Sequence, residues 1–208
     1  MHTKIYLASA SPRRSELLTQ IQVGHIQLIV PPAAGEDEPR QSDESPLSYV
    51  QRTASDKADR CIEWMHTAHG PQTDAVPLDR SLYILTADTT VALGDLILGK
   101  PADQQDAKKI LSLLSNRTHL VHTAVVLAKG QERLTTLSTT KVSFAELSPQ
   151  DIDQYIASQE PFGKAGAYGI QGMAAKFIYQ IEGSYSGVMG LPLFETAQLL
   201  KKAGILLR

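Results

Sequence analysis

Three serine–proline pairs, Ser11-Pro12, Ser45-Pro46 and Ser148-Pro149, each stand at the head of an apolar run with helical spacing. A serine at the N-cap accepts from the free amides of the first turn, and a proline just inside the helix forfeits no hydrogen bond. The pairs therefore fix three helix starts. Behind the first, Leu17, Leu18 and Ile21 form the stripe to be buried. Behind the second, Leu47, Val50, Ala54, Ala58, Cys61, Ile62 and Met65 recur at intervals of three and four. Behind the third come Ile152, Tyr155 and Ile156. Asp103 opens another helix, with Asp106 three residues on as a near capping box, and that helix carries Ala107, Ile110, Leu111 and Leu114. A last helix within 191–204 is stopped by Gly204.

Strands fill the intervals. Residues 4–8 and 25–30 read as short strands, and 82–88 as an apolar strand ending in Asp88. Residues 89–101 read as a hairpin turning at Gly94-Asp95. Two long strands, 119–129 and 133–147, meet near Gly130, and 175–183 is a further strand. Segments 31–45 and 184–190 read as loops, and 66–81 as an exposed polar insertion. Helices interleaved with strands, hairpins among them, predict an α/β fold with a mixed sheet and flanking helices. A chain of 208 residues suits one domain, or two small lobes sharing a core.

The charge balance narrows the partners. Twenty basic residues stand against 22 acidic ones, for a net charge of −2. That leaves no basic excess for duplex nucleic acid or an anionic membrane, so any anion site must be local. Cys61 is the only cysteine, which rules out an internal disulfide and fits a reducing compartment. The N-terminus lacks the apolar stretch of roughly 7–15 residues that marks a signal peptide. No apolar run approaches the length of about 18 residues that suggests a membrane span. The expectation is a soluble cytoplasmic protein.

The chemistry-bearing residues cluster by type. The turn "LASASPRR" leads from strand to helix, where free amides favour anions. Ser9 and Ser11 add hydroxyl donors there, and the forks of Arg13 and Arg14 suit phosphate oxygens. By pattern alone the same residues also make an ordinary capped surface helix. Lys57 lies at the edge of the buried stripe, as a phosphate ligand or a snorkelling lysine. Asp88, before Thr89-Thr90, either takes a proton or binds metal at the end of a strand, or caps a turn. Lys100 sits in an extended Gly-Lys-Pro corner. In the glycine-rich segment 160–172, Gln171 offers a donor and an acceptor for a base edge, and Tyr168 a ring for stacking. None of the six histidines is assigned to a metal, and no Ser–His–Asp pattern supports a hydrolase triad.

Six segments, "LASASPRRSELL", "SDKA", "TADTTVALGDLILGKPAD", "HLVHTAVVL", "KAGAYGIQG" and "IEGSYSGVMGLPL", resemble the Maf family of nucleoside triphosphate pyrophosphatases, in family order and over nearly the whole chain. "KAGAYGIQG" is similar to the branch acting on dTTP and UTP rather than on 7-methyl-GTP. The resemblance implies hydrolysis of a triphosphate to the monophosphate and pyrophosphate with a divalent cation, Mg²⁺ or Mn²⁺. Such an activity limits incorporation of excess or non-standard nucleotides. It also implies an elongated α/β fold with a deep cleft between two lobes, similar to inosine triphosphatase, in a single domain over 1–208. Carried over, Asp88 is the proton acceptor, and Arg13, Thr89 and Gln171 bear on substrate choice. Ser9, Arg14, Lys57 and Lys100 line the phosphate pocket. Asp88 and Glu38 match the metal site, with Glu36 or Asp37 as alternatives to Glu38. The insertion at 66–81 departs from the family pattern and bears on cleft access or subunit contact, and a homodimer fits the sequence. The rival is a nucleotide-binding regulator of cell division without useful turnover.

Overall fold

Both faces of the first strand are apolar, and the fold covers both. The computed structural model describes residues 4–31, 39–67 and 78–205. Strand β1 (Ile5–Ala8) leads through helix α1 (Pro12–Gln20) to β2 (His25–Leu28), and helix α2 (Pro46–His66) follows. Next come β3 (Ile84–Leu93), the short β4 (Leu96–Leu98), helix α3 (Gln104–Leu114), and the long pair β5 (Thr118–Lys129) and β6 (Glu132–Phe144). Helix α4 (Pro149–Ala157), strand β7 (Ile178–Glu182), the short α5 (Tyr185–Met189) and α6 (Leu193–Lys202) complete the chain.

One seven-stranded mixed sheet runs in the order β2-β1-β3-β5-β6-β7, with β4 paired to β3. The β1/β2 and β1/β3 pairs are parallel, and the β3/β5, β5/β6 and β6/β7 pairs are antiparallel. On one face, Val50, Ala54 and Ala58 of α2 pack on Ala124, Val126 and Ala128 of β5. Alanine facing alanine lets helix and sheet approach closely. On the other face the core divides. Leu7, Leu85 and Leu127 meet Leu17 and Leu18 of α1 and Leu199 and Leu200 of α6. Farther along, Val91, Val121 and Phe144 meet α3, α4 and the glycine-rich segment through Leu111, Ile152 and Tyr168. A 3₁₀ turn at Ala165–Ala167 is pressed onto this second core. Gly166 there has φ +71°, and a Cβ would come within 2.9 Å of the Val91 side chain, so only glycine fits.

The mixed α/β sheet with flanking helices is the fold the sequence predicts, and several details differ. Strand β3 does not end at Asp88 but runs ten residues to Leu93, with Asp88 at its middle. The β-branched Thr89, Thr90 and Val91 carry no breaking signal, and β5 pairs with the strand across the whole stretch Ile84–Ala92. The expected loop 184–190 contains helix α5, capped by Ser184 and ended by Gly190. Ser11 is the N-cap residue of α1, but its side chain makes no capping bond. Leu47 is exposed rather than buried, one turn too early for the sheet to cover it. Strand β6 stops at Phe144, three residues short of the expected end, and residues 175–177 belong to a 3₁₀ turn ahead of β7. The expected insertion at 66–81 lies mostly outside the described residues: α2 continues to His66 and the chain is described again from Leu78.

Candidate active site

The site begins with a gap in the sheet. On the edge of β3 away from β5, β1 pairs only as far as Leu7 with Leu85, and β4 pairs only from Val91 onward. Among the described residues, no strand covers that edge between Leu85 and Val91. A cleft of about 730 Å³ opens there. Because the edge is bare, side chains from both faces of β3 reach the same space: Asp88 from the α2 face, Thr89 from the α1 face. This keeps the rule that ligands gather beyond the carboxyl ends of parallel strands, although here only β1 and β2 end and β3 passes on.

Helix α2 supplies one wall. Tyr49, Thr53, Lys57 and Arg60 recur along one face and all line the cleft. They flank the stripe of Ala54, Ala58 and Cys61 that packs inward. The Lys57 ammonium pairs with Asp88 Oδ1, and the Thr53 hydroxyl lies 2.8 Å from Asp88 Oδ2. The Asp88 side chain is 16% exposed, so the carboxylate is recessed yet open to the cleft.

The first turn of α1 supplies the second wall, and its two arginines differ. Arg14 Nε donates to the Gly190 carbonyl at 2.8 Å, Nη1 to Ser9 Oγ at 3.2 Å and Nη2 to Thr89 Oγ1 at 3.4 Å. Burial lowers the affinity of Arg14 for its proton, Asp88 opposes this, and Arg13 adds to it. Arg13 lines the cleft, and its side chain forms no hydrogen bond among the described residues. The hydroxyls follow a donor order. Thr123 donates to the Gly187 carbonyl, so Thr89 spends its proton on Thr123 and offers only lone pairs elsewhere. Ser9 Oγ accepts from both Arg14 and the Ser11 amide, which leaves its own O–H to donate toward the cleft.

The glycine-rich segment is the third wall. Gln171 lies in it between two anchor points. Tyr155 Oη accepts from the Gly169 amide at 3.2 Å and donates to Glu160 Oε1 at 2.8 Å. Glu160 Oε2 accepts from the Met173 amide at 2.9 Å. Burial raises the Glu160 pKa, but the Met173 amide, the Tyr155 phenol, the Ala174 amide and Lys164 outweigh it and hold the group below its usual range. Gly172 makes room for this carboxylate: a Cβ there would run into Glu160. Lys164 lies across Gly169 and donates to the Glu160 carbonyl. Its pKa is lowered by burial and then by Arg13, with Glu160 opposing. Tyr168 lines the cleft but is largely buried. Its ring packs edge-on against Phe144 and His119, and its hydroxyl meets His119 Nε2 at 2.8 Å, a core arrangement.

Of the sequence-predicted residues, Ser9, Arg13, Arg14, Lys57, Asp88, Thr89, Lys100 and Gln171 all line this one cleft. Glu38, with Glu36 and Asp37, lies outside the described residues. Sequence reasoning missed Thr53, Arg60 and Lys164. The first two were signalled by their spacing from Lys57 along α2, and the third by its place at the head of "KAGAYGIQG". Among the described residues the cleft is lined by six basic side chains and one carboxylate. Such a lining can take an anion, and among the described residues Asp88 is the one carboxylate in it able to accept a proton. No three His, Cys, Asp or Glu side chains gather together among the described residues. A hard cation bound largely by phosphate needs only one or two protein carboxylates, and Asp88 is a donor of that kind.

Relatives match this sequence over nearly their whole length. A dTTP/UTP pyrophosphatase of Bordetella avium is 52% identical over 204 residues, covering 98% of this chain and 97% of its own. A dTTP/UTP pyrophosphatase of Cupriavidus metallidurans is 49% identical over 209 residues, covering 99% of each. A Shewanella protein of the same description is 47% identical over 202 residues, covering 97% and 98%. The solved structure of the Staphylococcus aureus Ham1 protein overlaps 69% of this chain and 73% of its own at 10% identity and a TM-score of 0.41. The family model described as Maf-like protein matches residues 4–203, and with relatives this similar the chain belongs to that family.

Proposed function

We propose that this chain hydrolyses nucleoside triphosphates, dTTP and UTP foremost, to the monophosphate and pyrophosphate. The observation that carries the reading is the charge of the cleft: among the described residues, an excess of five positive charges in a protein whose net charge is −2. Such a focus of charge suits a polyphosphate, and Asp88, the one carboxylate among the described lining residues, supplies the proton acceptor that hydrolysis needs. The relatives' description as dTTP/UTP pyrophosphatases supports the same substrates. Nothing in the cleft or among these relatives supports a regulator without turnover.

In this reading Ser9, Arg13, Lys57 and Lys100 hold the phosphates, while Arg14 contributes charge from behind. Gln171 reads the pyrimidine edge with its amide, and Thr89 offers an acceptor to base or sugar. Asp88 accepts a proton from the water that attacks the α-phosphorus; the bond to the β-phosphate oxygen breaks and pyrophosphate leaves, its charge held by the basic cluster. Mg²⁺ or Mn²⁺, held by Asp88, phosphate oxygens and an acid of residues 36–38, would add charge neutralisation at the phosphates when bound. The chain works as one domain, since a single sheet joins all the described parts. We place it in the cytoplasm with the nucleotide pool; no described helix is long and apolar enough to cross a membrane.

The test is product analysis with UTP, dTTP and a panel of other triphosphates in Mg²⁺ or Mn²⁺. Pyrophosphate release is expected, fastest with the two pyrimidines, and release of orthophosphate would refute the reaction. Asp88→Asn should lower kcat by about 10²–10⁴, the usual share of a general base, while nucleotide still binds. Near-normal turnover in that variant removes Asp88 as the base.

A further inference from the structure

We infer that Thr53 is a positioning residue for Asp88: its hydroxyl fixes Oδ2 so that Oδ1 is the oxygen presented to the substrate. The inference rests on the reading of Asp88 as the proton acceptor.

Thr53 is 3% exposed, on the turn of α2 that faces the middle of β3. Its Oγ1 lies 2.8 Å from Asp88 Oδ2, 3.0 Å from the Tyr49 carbonyl and 3.2 Å from the Val50 carbonyl. One hydroxyl hydrogen faces three acceptors. Threonine in a helix ordinarily returns its proton to the carbonyl three or four residues back. Within α2 those two carbonyls already accept from backbone amides, so neither needs the hydroxyl. A carboxylate is the stronger acceptor, roughly twofold over a neutral one, and it is also the nearest. The proton therefore goes to Asp88.

The second oxygen is treated differently. Oδ1 is paired with Lys57, whose side chain is 34% exposed and stands in the cleft among the other cations. Thr53 is short and buried, and cannot leave. Lys57 is long and flexible, and phosphate oxygens compete for it. Residues four apart on one helix thus hold the two oxygens with unequal firmness. Arrival of a triphosphate draws Lys57 away and uncovers Oδ1, while Thr53 keeps the plane of the carboxylate. The carbonyls of Tyr49 and Val50 remain as alternative acceptors, so the hydroxyl is never left without one.

The test compares Thr53→Val, which keeps the branched shape and removes the hydroxyl, with Thr53→Ser, which keeps the hydroxyl. Thr53→Val should lower kcat on UTP about tenfold or more, the range for losing a hydrogen bond to a charged group, with KM within about twofold and Tm little changed. Thr53→Ser should stay within about threefold of the parent kcat. Should valine not fold, Thr53→Ala carries the same comparison. Asp88→Asn is measured alongside. If it is inactive and Thr53→Val turns over normally, the Thr53 assignment fails alone. If Asp88→Asn itself is active, the reading beneath it fails. Equal losses in the Val and Ser variants, or a loss matched by a fall in Tm, would make Thr53 structural and overturn the inference.

Discussion

Arg13 and Arg14 are neighbours in sequence and opposites in use. Arg14 has all three nitrogens engaged by the protein and ties the start of α1 to the end of α5 through Gly190. Arg13 lines the cleft with no side-chain hydrogen bond among the described residues. Arg14→Lys should therefore cost about 1–3 kcal/mol in denaturant unfolding, because lysine cannot reproduce the fork and leaves acceptors unpaired. Arg13→Ala should leave unfolding nearly unchanged and reduce kcat/KM on UTP by about 10²-fold or more, the scale of one lost electrostatic stabiliser. The pair was legible in sequence as a basic first turn. Which arginine meets the protein depends on Gly190, 176 residues away, and no local pattern carries that information. The core contacts of Tyr168 are equally non-local, since its partners His119 and Phe144 come from β5 and β6.

At the scale of elements, caps and periodicity located every described helix longer than five residues, and the strands were found with errors at their ends. The largest error, ending a strand at Asp88, came from reading a carboxylate as punctuation. It is a tertiary matter: β1 stops while β3 continues, and only the sheet shows it. The glycine-rich segment behaves as a clamp, with Glu160 and Tyr155 fixing the backbone on both sides of Gln171. Gly172→Ala should displace Glu160, lower stability by about 1–3 kcal/mol through overpacking, and narrow the preference for UTP over purine triphosphates. A kinetic panel on the purified variant checks this; an unchanged substrate ranking would detach base reading from the clamp.

For the whole molecule, the buried histidines join lowered carboxylates such as Glu160 in the response to acid. Burial lowers the His119 pKa from 6.5 to about 4, and burial also lowers that of His122. A histidine kept neutral by folding binds its proton more readily in the unfolded chain. His119's stabilisation is thus intact above pH 6.5 and is lost as pH falls toward 4, about 3 kcal/mol in all. Denaturant unfolding at pH 7 and pH 5 should show this decline, and His119→Gln should flatten it; an equal slope in both proteins would assign the acid response elsewhere. The bare stretch of β3 has one more consequence. Exposed strand edges are where proteins join each other unintentionally, by adding a stranger's backbone to their own. Here the open segment is recessed in the cleft among basic side chains, so its free backbone groups are withdrawn from the flat outer rim on which foreign strands add.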